Sequence, residues 1–369
     1  MSVEIDHKGQ CRPGGPGALE VECGILFTPP HPGELRVLAQ DSEAAGFTIL
    51  ALGDSQSLFR EVYTSLAVAA MSTSTIRIAT GVSNVLTRHP AVLASSAATL
   101  NEISAGRFVL GLGTGDSAVY NLGLKAVTRV QLTDTIALLR QLLRGEWATY
   151  DGREIHTRWA SHRVPIYVTA EGPKALRLAG AIADGVIVGS GLLPEVISGS
   201  LALIEEGAAA ANRSIDDIDV WFFAKSNLAD TDEAAVRDIK MALAASGNHA
   251  FRFHREGKWI PAELVGQVEQ LVERYRTSEH EQVGDTHNAR LTDDVGLTDY
   301  LADRFAVAGS PASVLGRLQE LKASGVSKVL LGSINPDPQA FVRRWTTDVA
   351  PHIAGTHSSN PAHIQDTTS

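Results

Sequence analysis

Thr80-Gly81-Val82-Ser83-Asn84-Val85-Leu86-Thr87-Arg88-His89-Pro90 and, one helix further on, Gly106-Arg107-Phe108-Val109-Leu110-Gly111-Leu112-Gly113-Thr114-Gly115-Asp116 decide how this chain folds. Residues 76–80 are largely apolar and β-branched, as a buried strand requires. Pro90 opens a helix, because its missing N–H is not needed in the first turn. Val92, Leu93, Leu100 and Ile103 give that helix one apolar face, and Gly106 ends it. Residues 107–112 form the next buried strand. Glycines and short polar residues follow both strands, which is where a parallel α/β sheet builds its ligand site.

The same order recurs along the chain. Ala45-Gly46-Phe47, Ala105-Gly106-Arg107, Asp184-Gly185-Val186 and Ser324-Gly325-Val326 each put a glycine between a helix and a strand. Such alternation implies parallel strands joined by crossover helices. Strands read at 21–27, 47–52, 76–80, 107–112, 164–168, 186–189, 218–223 and 328–331. Eight strands with eight helices predict an α/β fold, a single (β/α)8 TIM barrel, with an open doubly wound sheet as the alternative. Asp151-Gly152 predicts a tight hairpin within 147–156. Residues 224–309, between strand seven and the helix that Ser310-Pro311 begins, exceed the one helix a barrel needs there. They are expected to form a helical insertion over the C-terminal mouth. The division expected is a flexible tail at 1–19, the barrel domain at 20–345 and a C-terminal tail at 346–369, disordered from 357.

The 369 residues carry a net charge of −10, which argues against nucleic acid as a partner. Two cysteines, Cys11 and Cys23, cannot form a disulfide framework. The chain shows no secretory signal and no apolar run of ~18 residues, so a cytoplasmic protein without a membrane span is expected. The insertion histidines His249, His254, His280 and His287 fit no zinc spacing and have no cysteine beside them, so no metal is expected.

The run TGVSNVLTRHPAVLASSAATLNEISAGR from Thr80, with FVLGLGTGDSA from Phe108, ALGDSQSLFREVY from Ala51 and AEGPKALRLAGAIADGVIVG from Ala170, resembles the luciferase-like flavin and deazaflavin oxidoreductases. It is most similar to their methylenetetrahydromethanopterin-reductase-like branch. The resemblance implies a non-prolyl cis peptide at Gly81–Val82 supporting the middle ring of a flavin or deazaflavin. It also implies a cofactor phosphate between Glu171-Gly172-Pro173 and Gly189-Ser190, where free N–H groups converge. Lys174 adds charge there. The cofactor-binding candidates are thus Thr80, Gly81, Val82, Asn84, Gly113, Asp116, Glu171, Gly172, Pro173, Gly189 and Ser190. Asp54, Asn84 and Asp116 are the catalytic candidates, since polar residues after barrel strands face the mouth. Asp116 either anchors a polar group of a ligand or caps the next helix, and His89-Pro90 is a helix entry or a site residue. A luciferase mechanism does not carry over, because Gly53-Asp54 stands where luciferases have a catalytic histidine.

The expected function is hydride transfer between a deazaflavin, coenzyme F420, and a small organic substrate. The alternative is a two-component monooxygenase that takes FMNH2 from a separate reductase and inserts oxygen from O2. A non-catalytic cofactor-binding protein is a third possibility, which the intact glycine loops disfavour. An NAD-dependent dehydrogenase is disfavoured because the glycines read GxGxG rather than GxGxxG, and Ile136 stands where a ribose-binding acid belongs. A homodimer is expected.

Overall fold

The computed structural model describes residues 18–161, 163–280, 282–335 and 337–354. The apolar runs become β1 (Glu22–Phe27), β2 (Ile49–Leu52), β3 (Arg77–Thr80), β4 (Phe108–Gly113), β5 (Ile166–Ala170), β6 (Gly185–Val188), β7 (Asp219–Leu228) and β8 (Lys328–Gly332). Each pairs in parallel with the next, and β8 pairs back on β1. The sheet therefore closes, and the open-sheet alternative is excluded. Around it lie α1 (Pro32–Ala44), α2 (Val62–Ser72), α3 (Pro90–Ile103), α4 (Arg129–Leu143), α5 (Pro173–Ile182), α6 (Pro194–Ala210), α7 (Pro311–Ala323) and α8 (Pro338–Asp348). Six of these eight carry proline in the first turn, at α1, α3, α5, α6, α7 and α8. The missing N–H costs nothing there and φ is already helical. The hairpin of Trp147–Tyr150 and Arg153–His156 turns through Asp151 and Gly152, both at positive φ. No helix among the described residues is long and apolar enough to cross a membrane.

The barrel interior is layered. At the N-terminal end, Arg77 pairs with Glu22 at 2.8 Å and Asp219 at 2.9 Å, and Lys328 meets Asp219 at 2.5 Å. Burial works against the Asp219 carboxylate, but Arg77 and Lys328 outweigh it and bring its pKa down to about 2. Above this charged floor lie Leu26, Ile49, Ala51, Ala79, Val109, Ile187, Trp221 and Leu330, all buried. A larger apolar layer fills the space between strands and helices. Close packing at one end leaves the C-terminal end to the loops and any ligand.

Three boundaries differ from the sequence reading. Residues 224–228 belong to β7, which runs on past Phe223 with Lys225, Ser226 and Asn227 buried. Polar side chains hid that extension. Residues at the far end of the expected insertion, Ala306–Gly309, form a short strand that pairs with Lys225–Leu228 of β7. The insertion proper is helical: Asp232–Asp238, Lys240–Phe251, Val265–Arg274, His287–Asp294 and Thr298–Phe305. It has its own apolar core around Leu243, Phe251, Leu271, Leu291 and Leu301. The helix after it is α7, and α8 closes the barrel. The boundary expected after residue 345 falls inside α8, where Phe341, Val342 and Trp345 are buried and Trp345 stacks on Phe47 with ring centroids 5.0 Å apart. Leu19, at the edge of the expected N-terminal tail, bridges to Ile353. The rest of both expected tails, 1–17 and 355–369, lies outside the described residues.

Candidate functional site

The mouth is built from strand ends that lack side chains. Gly81, Gly111, Gly113, Gly189 and Gly332 stand at or near the C-terminal ends of β3, β4, β6 and β8. The Gly81–Val82 peptide is cis, as the resemblance implied. Val82 follows it and lies against the two β4 glycines. A Cβ at Gly111 would come within 3.1 Å of one Val82 methyl, and one at Gly113 within 3.3 Å of the other. Val82 also packs on the apolar interior layer. Thr80 is fully buried and donates from Oγ1 to the Gly111 carbonyl at 2.7 Å, fixing this floor from below.

Two of the catalytic candidates are engaged in loop structure. Asp54 has a side chain only 1% exposed, accepts from Ser83 Oγ at 2.5 Å and pairs with Arg88 Nη1 at 2.6 Å. Arg88 continues to Glu61 at 2.8 Å and lies over the Tyr63 ring. Asn84 Oδ1 accepts from the N–H groups of Leu86 and Thr87, forming a turn between the two strand-end segments. His89 is the N-cap of α3, accepting from Ala91, which settles its open reading as a helix entry.

Asp116 differs from both. It precedes the short helix Ser117–Tyr120 but makes no capping bond. Its Oδ2 instead meets His249 Nδ1 at 2.8 Å, and its Oδ1 meets Arg252 at 3.0 Å. The opposite nitrogen of His249, Nε2, lies 3.2 Å from Glu171 Oε1. Both ring nitrogens thus face carboxylates, the arrangement of a doubly protonated imidazolium. Arg252 Nη2 also lies 3.1 Å from Nδ1, but the approach to Asp116 is shorter, so Nδ1–H donates to the Asp116 carboxylate. Burial disfavours the His249 charge, yet Glu171 and Asp116 outweigh it and raise its pKa above 6.5. Burial likewise opposes the Asp116 charge, while His249 and Arg252 draw its pKa down to about 2.

This bridge crosses the ends of β4 and β5, and His249 reaches it from the insertion helix Lys240–Phe251. Sequence reasoning weighed His249 only as a metal ligand. Its partners lie 133 and 78 residues away by subtraction of their numbers, and no local pattern marks such a meeting. Among the described residues, no group of three or more His, Cys, Asp or Glu is placed to hold a metal ion.

Beside the bridge, Gly172 is the N-cap of α5 with no side-chain capping bond, and Pro173 opens the helix. Ser190 follows β6, is 2% exposed and has no hydrogen-bond partner for its hydroxyl. Its carbonyl accepts from Arg304 Nε at 3.1 Å and Nη2 at 2.9 Å. Arg304 is itself fully buried and also donates to the carbonyls of Lys258 and Trp259 and the hydroxyl of Tyr300. Lys258 comes to the Gly172 turn from the insertion, its Cε 3.5 Å from where a Gly172 Cβ would stand, and burial lowers its pKa. Lys174, by contrast, is exposed. An uncapped helix start, an orphan buried hydroxyl, nearby cations and a floor of glycines fit a flat ring system with an anionic group. The Glu171 carboxylate fits less well, since it lies in the same place, within 2.6 Å of a Cβ built on Gly189.

A closed barrel whose mouth is floored by glycines and bridged by titratable side chains gathers its polar chemistry at the C-terminal strand ends, where enzymes of this fold carry their active sites. The model of the luciferase-like monooxygenase family matches residues 10–328, and the chain belongs to that family of enzymes. It is 30% identical over 363 residues to the 5,10-methylenetetrahydromethanopterin reductase of Methanopyrus kandleri, covering 90% of this chain and 99% of that one. It is 34% identical over 344 residues to the F420-dependent glucose-6-phosphate dehydrogenase of Nakamurella multipartita, covering 87% and 93%. The solved coenzyme F420-dependent tetrahydromethanopterin reductase from Methanopyrus kandleri matches with a TM-score of 0.71 at 26% identity, covering 91% of this chain and all of that one.

Proposed function

We propose that this protein is an oxidoreductase that uses coenzyme F420 to move a hydride to or from a small organic substrate. The observation that carries this reading is the near full-length likeness to F420-dependent enzymes, the dehydrogenase of Nakamurella multipartita above all. The mouth supports it. Val82, Gly111 and Gly113 would carry the ring, and Gly172, Pro173 and Ser190 would hold the phosphate end. A bound deazaflavin supplies a two-electron hydride carrier. The chain's own part is to orient that ring, keep water from it with the insertion, and hold a proton on His249 against Asp116. A homodimer belongs to the same reading.

The deciding experiment is a fluorescence titration with F420 and, in parallel, with FMN. Saturable binding of F420, uncompeted by FMN, is expected, followed by reduction of F420 by, or oxidation of reduced F420 with, members of a panel of alcohols, sugar phosphates and C=N compounds. Binding of FMN alone, with oxygen uptake when FMNH2 is supplied by a separate reductase, would replace this reading with a monooxygenase.

A further inference from the structure

Glu171 was expected from the sequence to be a cofactor ligand, and its surroundings give it a different part. It follows β5, where the end of β6 and the start of α5 converge. Its carboxylate rests against Gly189 and meets His249 Nε2 at 3.2 Å. It also acts electrostatically on Lys258 and Arg304. Around the same place are groups suited to bind more negative oxygens than one carboxylate has. The Ser190 hydroxyl is buried without a partner. The first turn of α5 has no side-chain cap. The five donors of Arg304 go to carbonyls and one hydroxyl, none of them charged. His249 thus touches this carboxylate, while Lys258, whose ammonium donates to the Ala250 carbonyl, and Arg304, whose donors are all used, act on it only through their charge. Asp116 and Arg252, on the far side of His249, neutralise one another at 3.0 Å.

We propose that Glu171 is an internal anion that competes with the cofactor's anionic group for these donors, so that cofactor binding exchanges one anion for another. The inference rests on the cofactor reading above and adds a sign to it. A residue that contacts the cofactor favourably weakens binding when removed, whereas a resident competitor strengthens it. On exchange, the Glu171 side chain swings out toward solvent, where 22% of it already lies, His249 Nε2 passes to the incoming anion, and the partnerless Ser190 hydroxyl gains that anion as an acceptor. The negative charge beside His249 is thereby kept, so the imidazolium stays paired throughout.

The test is Glu171→Gln, which keeps the shape and removes the charge. F420 affinity is read by fluorescence titration, and inorganic phosphate is used as a competitor and, separately, as a ligand in thermal shift. Glu171→Gln should bind F420 at least about tenfold more tightly than the unmodified protein, the lower range for removing a like charge beside a bound anion. Phosphate should compete at correspondingly lower concentration. Glu171→Ser, which withdraws the side chain altogether, should change affinity in the same direction and serves if the Gln variant melts early. Equal or weaker F420 binding by both variants, with normal binding by the unmodified protein, would overturn the exchange and leave the cofactor reading standing. Phosphate binding tightened by the substitution, with no F420 binding by any form, would overturn the cofactor reading and leave the exchange. Absence of both ligands from all forms removes both.

Discussion

Arg304→Met tests how the insertion is fastened to the barrel. Arg304 reaches from the last insertion helix to Ser190 beside β6, and to Lys258 and Trp259 in the insertion loop. Methionine keeps much of the volume and removes all five donors. Three carbonyls and the Tyr300 hydroxyl then lose partners. An unpaired buried acceptor costs ~1–3 kcal/mol. The Ser190 carbonyl is in the buried part of this network, whereas the others are partly buried and within reach of water. The total is therefore about 3–5 kcal/mol, a large share of a typical ~5–15 kcal/mol stability. Because the insertion has its own apolar core, the loss should appear first as local opening of 252–262. Trp259, whose ring packs against Gly199 of α6, should come loose with it. Hydrogen exchange followed by mass spectrometry reads this directly, with a lowered melting temperature beside it. Arg304→Lys should be intermediate, because a lysine keeps the charge but not the planar fork. Unchanged exchange in 252–262 together with an unchanged melting temperature in Arg304→Met would refute the reasoning.

Trp345→Ala should cost ~3–5 kcal/mol, as for removal of a large buried aromatic, measured by denaturant unfolding. A loss below ~1 kcal/mol would mean that α8 contributes little to the barrel. His249 has a folded pKa above its unfolded value, so its contribution to stability is fully present below about 6.5 and is lost as pH rises through the folded pKa. The stability difference between the unmodified protein and His249→Asn should therefore shrink from mildly acidic to alkaline pH in paired melts, and a difference that grows with pH contradicts the bridge. Asp116 has the opposite sign, with a contribution present above 3.8 that fades as pH falls toward 2, so Asp116→Asn should matter least in strong acid.

The sequence by itself determined the barrel. Period, glycine and proline are local signals, and they marked most strand ends and helix starts and, through the count of eight, pointed to a barrel, whose closure the pairing of β8 with β1 then showed. The Asp151-Gly152 turn and the proline at the start of α3 were legible for the same reason: φ is set by the residue itself. The strand-end glycines were legible as a mouth, since only a missing side chain can make room there. Tertiary structure decided what the polar residues do. Asp54 and Asn84 look alike from the sequence as acids and amides after strands, yet contacts with Arg88 and the 86–87 backbone engage them in the loops. Asp116 bonds to a histidine that the sequence places far away, and Lys225 lies buried in β7, beyond the strand end read at Phe223. A charged side chain is stable in such places only with partners, and those partners come from distant segments. The pairing energy that selects them exists only once the chain has closed, so no window of sequence contains it.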